Sequence, residues 1–226
     1  MVGGQTYGIE AMQDVAELMH GIREACIAQR IPVDTLITEN APSQYEINLY
    51  HQPDAVLACD QALMLKRAIK GVSRKHGKHA TFMAKPFGDE GGSGFHLHLS
   101  VTDVDGSHMM DDESGELSTV CRRMIAGILE HAPALVAFCN PTVNAYKRLG
   151  PDTMAPYRSN WGYDNRSTML RIPPERGQGT RAELRIGLCG DWLNGGDVQG
   201  AWLSGRALAA QILQSTQIQS SGAVHA

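Results

Sequence analysis

The run Gly91-Gly92-Ser93-Gly94-Phe95-His96-Leu97-His98-Leu99-Ser100 constrains this chain more than any other stretch. It is a glycine-rich loop passing into a strand with two chemically distinct faces. Successive strand side chains point to opposite sides of a sheet, so Phe95, Leu97 and Leu99 face one way and His96, His98 and Ser100 the other. One face packs and the other is free for chemistry. The same pattern recurs in Gln44-Tyr45-Glu46-Ile47-Asn48-Leu49, where Glu46 opposes Tyr45, Ile47 and Leu49. It recurs again in Arg181-Ala182-Glu183-Leu184-Arg185-Ile186, where Arg181, Glu183 and Arg185 oppose three apolar residues. A solvated antiparallel strand also alternates, but its outer face favours Lys, Thr and Ser. His-x-His behind a glycine loop is a ligand-type choice, because imidazole is a common metal ligand and glycine permits close backbone approach. Two carboxylates, two imidazoles and two guanidiniums on polar faces are the inventory of a site for a divalent cation and a polyanion.

A chain of 226 residues buries one sizeable core, which fits one domain better than two. The formal charge of −4 excludes a bulk basic field for nucleic acid or an anionic membrane, and so points to a small substrate. The five cysteines Cys26, Cys59, Cys121, Cys139 and Cys189 are odd in number and lack C-x-x-C spacing. That argues against a disulfide framework or zinc ribbon and for a reducing cytoplasm. No apolar run approaches the roughly 20 residues that span a bilayer. The N-terminus lacks the charged start and apolar core of a secretory leader.

Apolar spacing predicts a helix over residues 9–30, ended by Pro32, and strands over 33–39 and 44–51 joined by Asn40-Ala41-Pro42-Ser43. Pro53 opens a helix to about residue 76, and Gly77 stops it. A short strand over 80–84, the strand over 95–101, a turn at Asp105-Gly106 and a helix over 115–138 follow. Residues 140–161 read as mostly irregular, the kind of segment where binding residues sit. The strands over 44–51, 95–101 and 181–186 are expected to share one largely antiparallel sheet with their polar faces on the same side.

Three separated motifs resemble the glutamine synthetase family. The first is Phe82-Met83-Ala84-Lys85-Pro86-Phe87, followed by residues 91–96 and Ser100, which is similar to the family's ATP-region signature. The second comprises Asn144-Ala145-Tyr146-Lys147-Arg148-Leu149, Ala155-Pro156, Trp161-Gly162, Asn165-Arg166-Ser167 and Arg171-Ile172-Pro173. Arg181-Ala182-Glu183-Leu184-Arg185 is the third. The resemblance covers residues 5–187 and implies an α+β fold like the family's catalytic domain, a curved, largely antiparallel sheet flanked by helices. It divides the chain into a partial catalytic domain over residues 1–187 and a divergent, partly helical tail over 188–226.

The resemblance also implies roles. Glu39 and Glu46 correspond to carboxylates on one divalent cation, and His96 and Glu183 to ligands of a second; Mg2+ or Mn2+ suits such donors. Arg166, Arg171 and Arg181, with His98 and Ser100, resemble the contacts to ATP. Arg148 and Arg185 resemble those holding glutamate and its acyl phosphate, with the backbone of Gly92 and Gly94 close to the same substrate. Arg148, Arg166 and Arg185 would stabilise charge during phosphoryl transfer. The implied reaction phosphorylates the γ-carboxylate of glutamate and joins it to an amine.

The family's true glutamine synthetases carry a glutamate just before the Ala-Pro, where it helps deprotonate ammonium; here Met154 stands. A thioether cannot take that proton. Met154 and Trp161-Gly162-Tyr163-Asp164-Asn165-Arg166 look more like the γ-glutamylpolyamine and γ-glutamylamide synthetases, whose amine is a polyamine or another primary amine. Glutamine formation from ammonia and a non-catalytic remnant binding nucleotide or glutamate are the alternatives. The resemblance further implies that the chain is truncated at both ends. It lacks the family's small N-terminal domain and the strand preceding residue 9, which gives each cation a carboxylate. The sequence leaves the family pattern after Ile186. The ring of identical subunits formed by full-length relatives also needs that N-terminal domain.

Overall fold

The computed structural model describes residues 6–150, 153 and 155–185. These fall into two units, residues 6–81 and 82–185.

In the first unit, helices α1 (Ile9–Gln13) and α2 (Ala16–Ala28) replace the single helix expected over 9–30. Asp14 and the β-branched Val15, both poor helix formers, occupy the break. Strands β1 (Val33–Thr38) and β2 (Tyr45–Leu49) form an antiparallel hairpin with Leu36 opposite Ile47, Ile37 opposite Glu46 and Thr38 opposite Tyr45. Helix α3 (Ala55–Lys75) starts two residues later than Pro53 suggests, because the carboxylate of Asp54 accepts the Val56 and Leu57 N–H groups that no helical carbonyl can satisfy. Gly77, at φ +66°, takes the left-handed conformation that ends it. Leu18, Met19, Ile22 and Cys26 of α2 pack with Leu65 and Ala68 of α3 and the Leu36, Tyr45 and Ile47 face of the hairpin. The opposite hairpin face carries Thr35, Glu46 and Asn48 beside Ile37, and there the Asn48 side chain donates to Thr35 Oγ1 at 3.0 Å.

In the second unit, β3 (Leu97–Leu99), β4 (Trp161–Tyr163), β5 (Leu170–Ile172) and β6 (Ala182–Leu184) make a sheet in the order β3-β6-β5-β4. The first two pairings are antiparallel, and β4–β5 is parallel. Helices α4 (Thr119–Glu130) and α5 (Ala132–Cys139) contribute Cys121, Ile125 and Ala132 to a core with Leu170, Ile172, Ala182 and Leu184. Pro133, in the first turn of α5, has no N–H for a carbonyl of the preceding turn, and this splits the helix expected over 115–138. Its start moves to Thr119 because Ser118 caps it, Oγ accepting from Cys121 N–H at 3.1 Å. A one-turn helix, α6 (Val143–Tyr146), interrupts the segment expected to be irregular.

The α+β class stands, and two expectations change. The expected common sheet is two hydrogen-bonded sheets among the described residues: β2 pairs with β1, whereas β3 and β6 belong to the second unit. Local closure by the 39–44 turn, where Glu39 N–H donates to the Gln44 carbonyl at 2.8 Å, directs β2 to its neighbour in sequence. Residues 80–84 form no strand; the Ala84 carbonyl accepts Ser93 N–H, and the next residue, Lys85, is bonded by the Asn144 side chain. The tail expected over 188–226 lies outside the described residues, as do Met154 and Ile186.

Candidate active site

Register on the second sheet decides which side chains meet. His98 stands opposite Glu183, and Glu183 stands opposite Arg171, so all three project from the same face in one row across β3, β6 and β5. His96, Arg181 and Arg185 lie two residues from members of the row and share that face. The opposite face carries Leu97, Ala182, Leu184, Leu170 and Ile172 into the core.

Glu183 is the hub. It is only 3% exposed, and each carboxylate oxygen has its own partner. Arg171 donates from Nη1 to Oε2 at 2.7 Å, while His96 Nδ1 lies 3.2 Å and Arg185 Nε 3.5 Å from Oε1. Burial by itself raises the Glu183 carboxyl, but the hydrogen bond from Arg171 and the surrounding cationic groups hold it below the usual carboxylate range. Burial pushes His96 in the other direction, to about 4, against the pull of Glu183. His98 is lowered as well, chiefly by burial. At neutral pH the site therefore holds a carboxylate next to an uncharged imidazole, the protonation states that metal ligation requires.

The arginines are held from outside the sheet as well. Arg171 also donates from Nε to Asp164 Oδ1 at 3.1 Å, and a second bond runs from Nη2 to the same oxygen. Arg181 donates to His98 Nδ1 at 3.0 Å and to the Gly179 carbonyl at 2.9 Å, and pairs with Glu175 at 3.2 Å. The turn before it is pinned by Asp111, which accepts from Gly177 N–H at 2.8 Å and from the Thr180 hydroxyl. Arg185, 8% exposed, donates from Nη1 to the Arg166 carbonyl. The Arg166 residue itself is exposed, as is Ser100 just beyond β3.

Arg148 is 7% exposed and lies against the glycine loop. A Cβ on Gly92 would stand 2.9 Å from Arg148 Cγ and 2.6 Å from the Ala84 carbonyl oxygen; one on Gly94 would stand 2.9 Å from Arg148 Nη2. Only glycine lets the backbone approach so closely.

The second unit thus brings together His96, His98, Glu183, Arg171, Arg181 and Arg185 around one sheet face, with Gly92, Gly94 and Arg148 adjoining it, Gly94 lying against His96. Glu39 and Glu46 belong to the first unit and form a pair of their own. Glu39 follows β1 opposite Gln44, and Glu46 lies opposite Ile37, which puts both carboxylates on the polar face of the hairpin as diagonal neighbours. Asp164 and Glu175, which fasten two of the arginines, carried no role in the sequence reading. Asp164 was visible within the Trp161 motif, and its positive φ of 43° marks a turn the sequence alone does not announce.

His96 and Glu183 fit a divalent cation. Two donors in adjacent octahedral positions, each bonded at about 2.1 Å, sit about 3.0 Å apart, close to the separation seen here. No third His, Cys, Asp or Glu joins them among the described residues. A Mg2+-like ion commonly takes one or two protein donors and completes its shell with water and substrate phosphate.

The family model for the glutamine synthetase catalytic domain matches residues 1–189. The chain belongs to the glutamine synthetase family. It is 38% identical over 182 residues to the gamma-glutamylputrescine synthetase of Escherichia coli (strain K12), covering 80% of this chain and 39% of that protein. It is 41% identical over 181 residues to a glutamine synthetase of Thermus thermophilus, covering 79% of this chain and 39% of that one. Among solved structures, apo GmaS without ligand superposes with a TM-score of 0.72 at 31% identity, over 83% of this chain and 44% of that chain. A glutamine synthetase of Plasmodium falciparum gives 0.70 at 28%, over 76% and 34%. The chain spans about two fifths of the length of these curated synthetases. Among the described residues, no helix is long and apolar enough to cross a membrane. The cysteines there, Cys26, Cys59, Cys121 and Cys139, are free thiols.

Proposed function

We propose that the chain is the catalytic part of an ATP-dependent ligase that joins the γ-carboxylate of glutamate to a primary amine, in the γ-glutamylpolyamine and γ-glutamylamide branch. The observation that carries this is the buried Glu183 carboxylate, shared between Arg171 and the neutral His96 on a face that also holds His98, Arg181 and Arg185. An anion site flanked by forked cationic donors suits a nucleotide triphosphate. His96 and Glu183 would hold one Mg2+ or Mn2+, and Glu39 and Glu46 another. Such a cation, when bound, neutralises charge on phosphate oxygens.

The remaining work belongs to the protein. Arg166, Arg171 and Arg181, with His98 and Ser100, bind the ATP phosphates and align the terminal one. Arg148 and Arg185 hold glutamate along the Gly92 and Gly94 backbone. A γ-carboxylate oxygen attacks the terminal phosphorus as the bond to ADP breaks. The amine nitrogen then attacks the acyl carbon, phosphate leaves with its electron pair, and the amine nitrogen gives up a proton to water. The partly occupied Arg171 would exchange its Asp164 bonds for phosphate, since Asp164 is the exposed member of that pair. A ring of identical subunits belongs to the full-length version of this reading, since it needs the N-terminal domain.

Met154 favours an alkylamine over ammonium, because an apolar side chain replaces the proton acceptor that ammonium needs. The E. coli relative is named for putrescine; the Thermus relative is named a glutamine synthetase. Phosphate release with ATP and glutamate separates these readings. It is measured in the chain and in a hybrid that adds the part of the E. coli relative it does not span. Putrescine or ethanolamine should outpace ammonium in the hybrid, and Met154→Glu should raise the ammonium rate. Preference for ammonium would leave an ordinary glutamine synthetase, and no release with any amine would remove the ligase reading.

A further inference from the structure

The side-chain amide of Asn144 forms two hydrogen bonds with the backbone of one residue 59 positions away. Lys85 N–H donates to Asn144 Oδ1 at 2.9 Å, and Asn144 Nδ2 donates to the Lys85 carbonyl at 2.9 Å. A neighbouring strand would satisfy a residue in the same way, and no strand is there. Lys85 opens the loop that returns as the glycine run. The adjacent Ala84, 1% exposed, packs on the fully buried Ala145, and its carbonyl accepts Ser93 N–H at 2.9 Å. The Lys85 ammonium donates to the Glu90 carbonyl at 2.5 Å, bracing the loop from within.

Asn144 and Arg148 lie one turn apart, with Arg148 N–H donating to the Ala145 carbonyl at 3.1 Å. The Gly92 backbone is wedged between the Ala84 carbonyl and the Arg148 stem, with no room for a Cβ. Any drift of Lys85 relative to α6 therefore moves the glycine backbone relative to the Arg148 guanidinium.

We infer that Asn144 is a positioning residue. Its amide clamp on Lys85 fixes the spacing between the Gly92–Ser93–Gly94 backbone and Arg148, and through it the affinity for an α-amino dicarboxylate. The choice of ligand rests on the glutamate reading above. An aspartate at 144 could still accept from Lys85 N–H but would set an oxygen against the Lys85 carbonyl, and an alanine would lose both bonds.

The test uses the full chain, with Asn144→Asp and Asn144→Ala, in two measurements. Amide hydrogen exchange should speed up at least tenfold at Lys85 and Ser93 and stay unchanged at Leu170 and Ala182 in the sheet. Calorimetric titration should show glutamate affinity falling about tenfold while ATP affinity stays within twofold. Unchanged exchange at Ser93 overturns the clamp. Faster exchange with unchanged glutamate affinity overturns the positioning role. If the unsubstituted chain binds no glutamate while Ser93 exchange still responds to Asn144, the glutamate reading fails and the clamp stands.

Discussion

Glu183 and Arg171 face each other across neighbouring antiparallel strands, and Arg171 Nη1 donates to Glu183 Oε2 at 2.7 Å. The two ends of this guanidinium sit in different surroundings: Glu183 is buried, whereas the Asp164 side chain on its other edge is 57% exposed. Breaking a buried pair leaves an uncompensated charge, whereas an exposed pair contributes little. Arg171→Ala should therefore cost about 3 kcal/mol of stability, and Asp164→Ala less than about 1 kcal/mol. Urea unfolding of the two variants compares them, and equal costs would refute the account of Glu183 as the hub.

Two glycines offer an internal contrast. A Cβ on Gly92 collides with the Ala84 carbonyl and the Arg148 stem, whereas one on Gly71, inside α3, meets nothing within 4 Å. Gly92→Ala should destabilise by about 1–3 kcal/mol through overpacking. Gly71→Ala should stabilise by about 0.5–1 kcal/mol, because alanine restricts the unfolded chain and favours the helix. Melting curves read both, and the opposite order would show that the glycine loop is not packed as described.

His96 gives the metal-free protein an acid limit. Its folded pKa of about 4 lies below the ordinary value of 6.5, so between these the unfolded chain binds a proton that the folded chain does not. Stability is then whole above about pH 6.5, declines as pH falls, and loses no more from this group below about pH 4. His96→Asn should flatten the slope of unfolding free energy against pH in that interval, with chelator present. An unchanged slope would show that burial does not depress this imidazole.

Manganese titration tests the two donor pairs independently. His96→Ala and Glu183→Gln should each weaken one binding step at least fivefold, and Glu39→Gln and Glu46→Gln should weaken a different one. Retained affinity in both members of a pair would remove that pair from the site.

The polar faces were legible because alternation is local: Glu46 against Tyr45, Ile47 and Leu49, and Glu183 between Ala182 and Leu184, need no knowledge of distant partners. Which strands pair was not legible. The 39–44 turn closes β2 onto β1, and nothing in the spacing of Gln44 to Leu49 says whether that pairing excludes a partner from the second unit. β4 and β5 escaped because three residues are too few for alternation to declare itself. Pro133, by contrast, was in plain view as a helix breaker. The fastening of the arginines by Asp164, Glu175 and Asp111, and of Lys85 by Asn144, depends on contacts made far along the chain. Motif register named the candidate site residues, but the residues that hold them in place emerge only in three dimensions.

The pairing of Leu97 with Leu184 has a consequence for the order of events during synthesis. The strand that carries His98 leaves the ribosome long before the one that carries Glu183, and the loop between them must close at an entropic cost before any ladder bond forms. Until then the apolar sides of β3 and α4 have no sheet to cover, and an incomplete chain exposes them. Any product ending short of Arg181 would therefore have both histidines and neither the arginine that bonds His98 nor the carboxylate beside His96, and the charge chemistry of the site would appear only with residues 181–185.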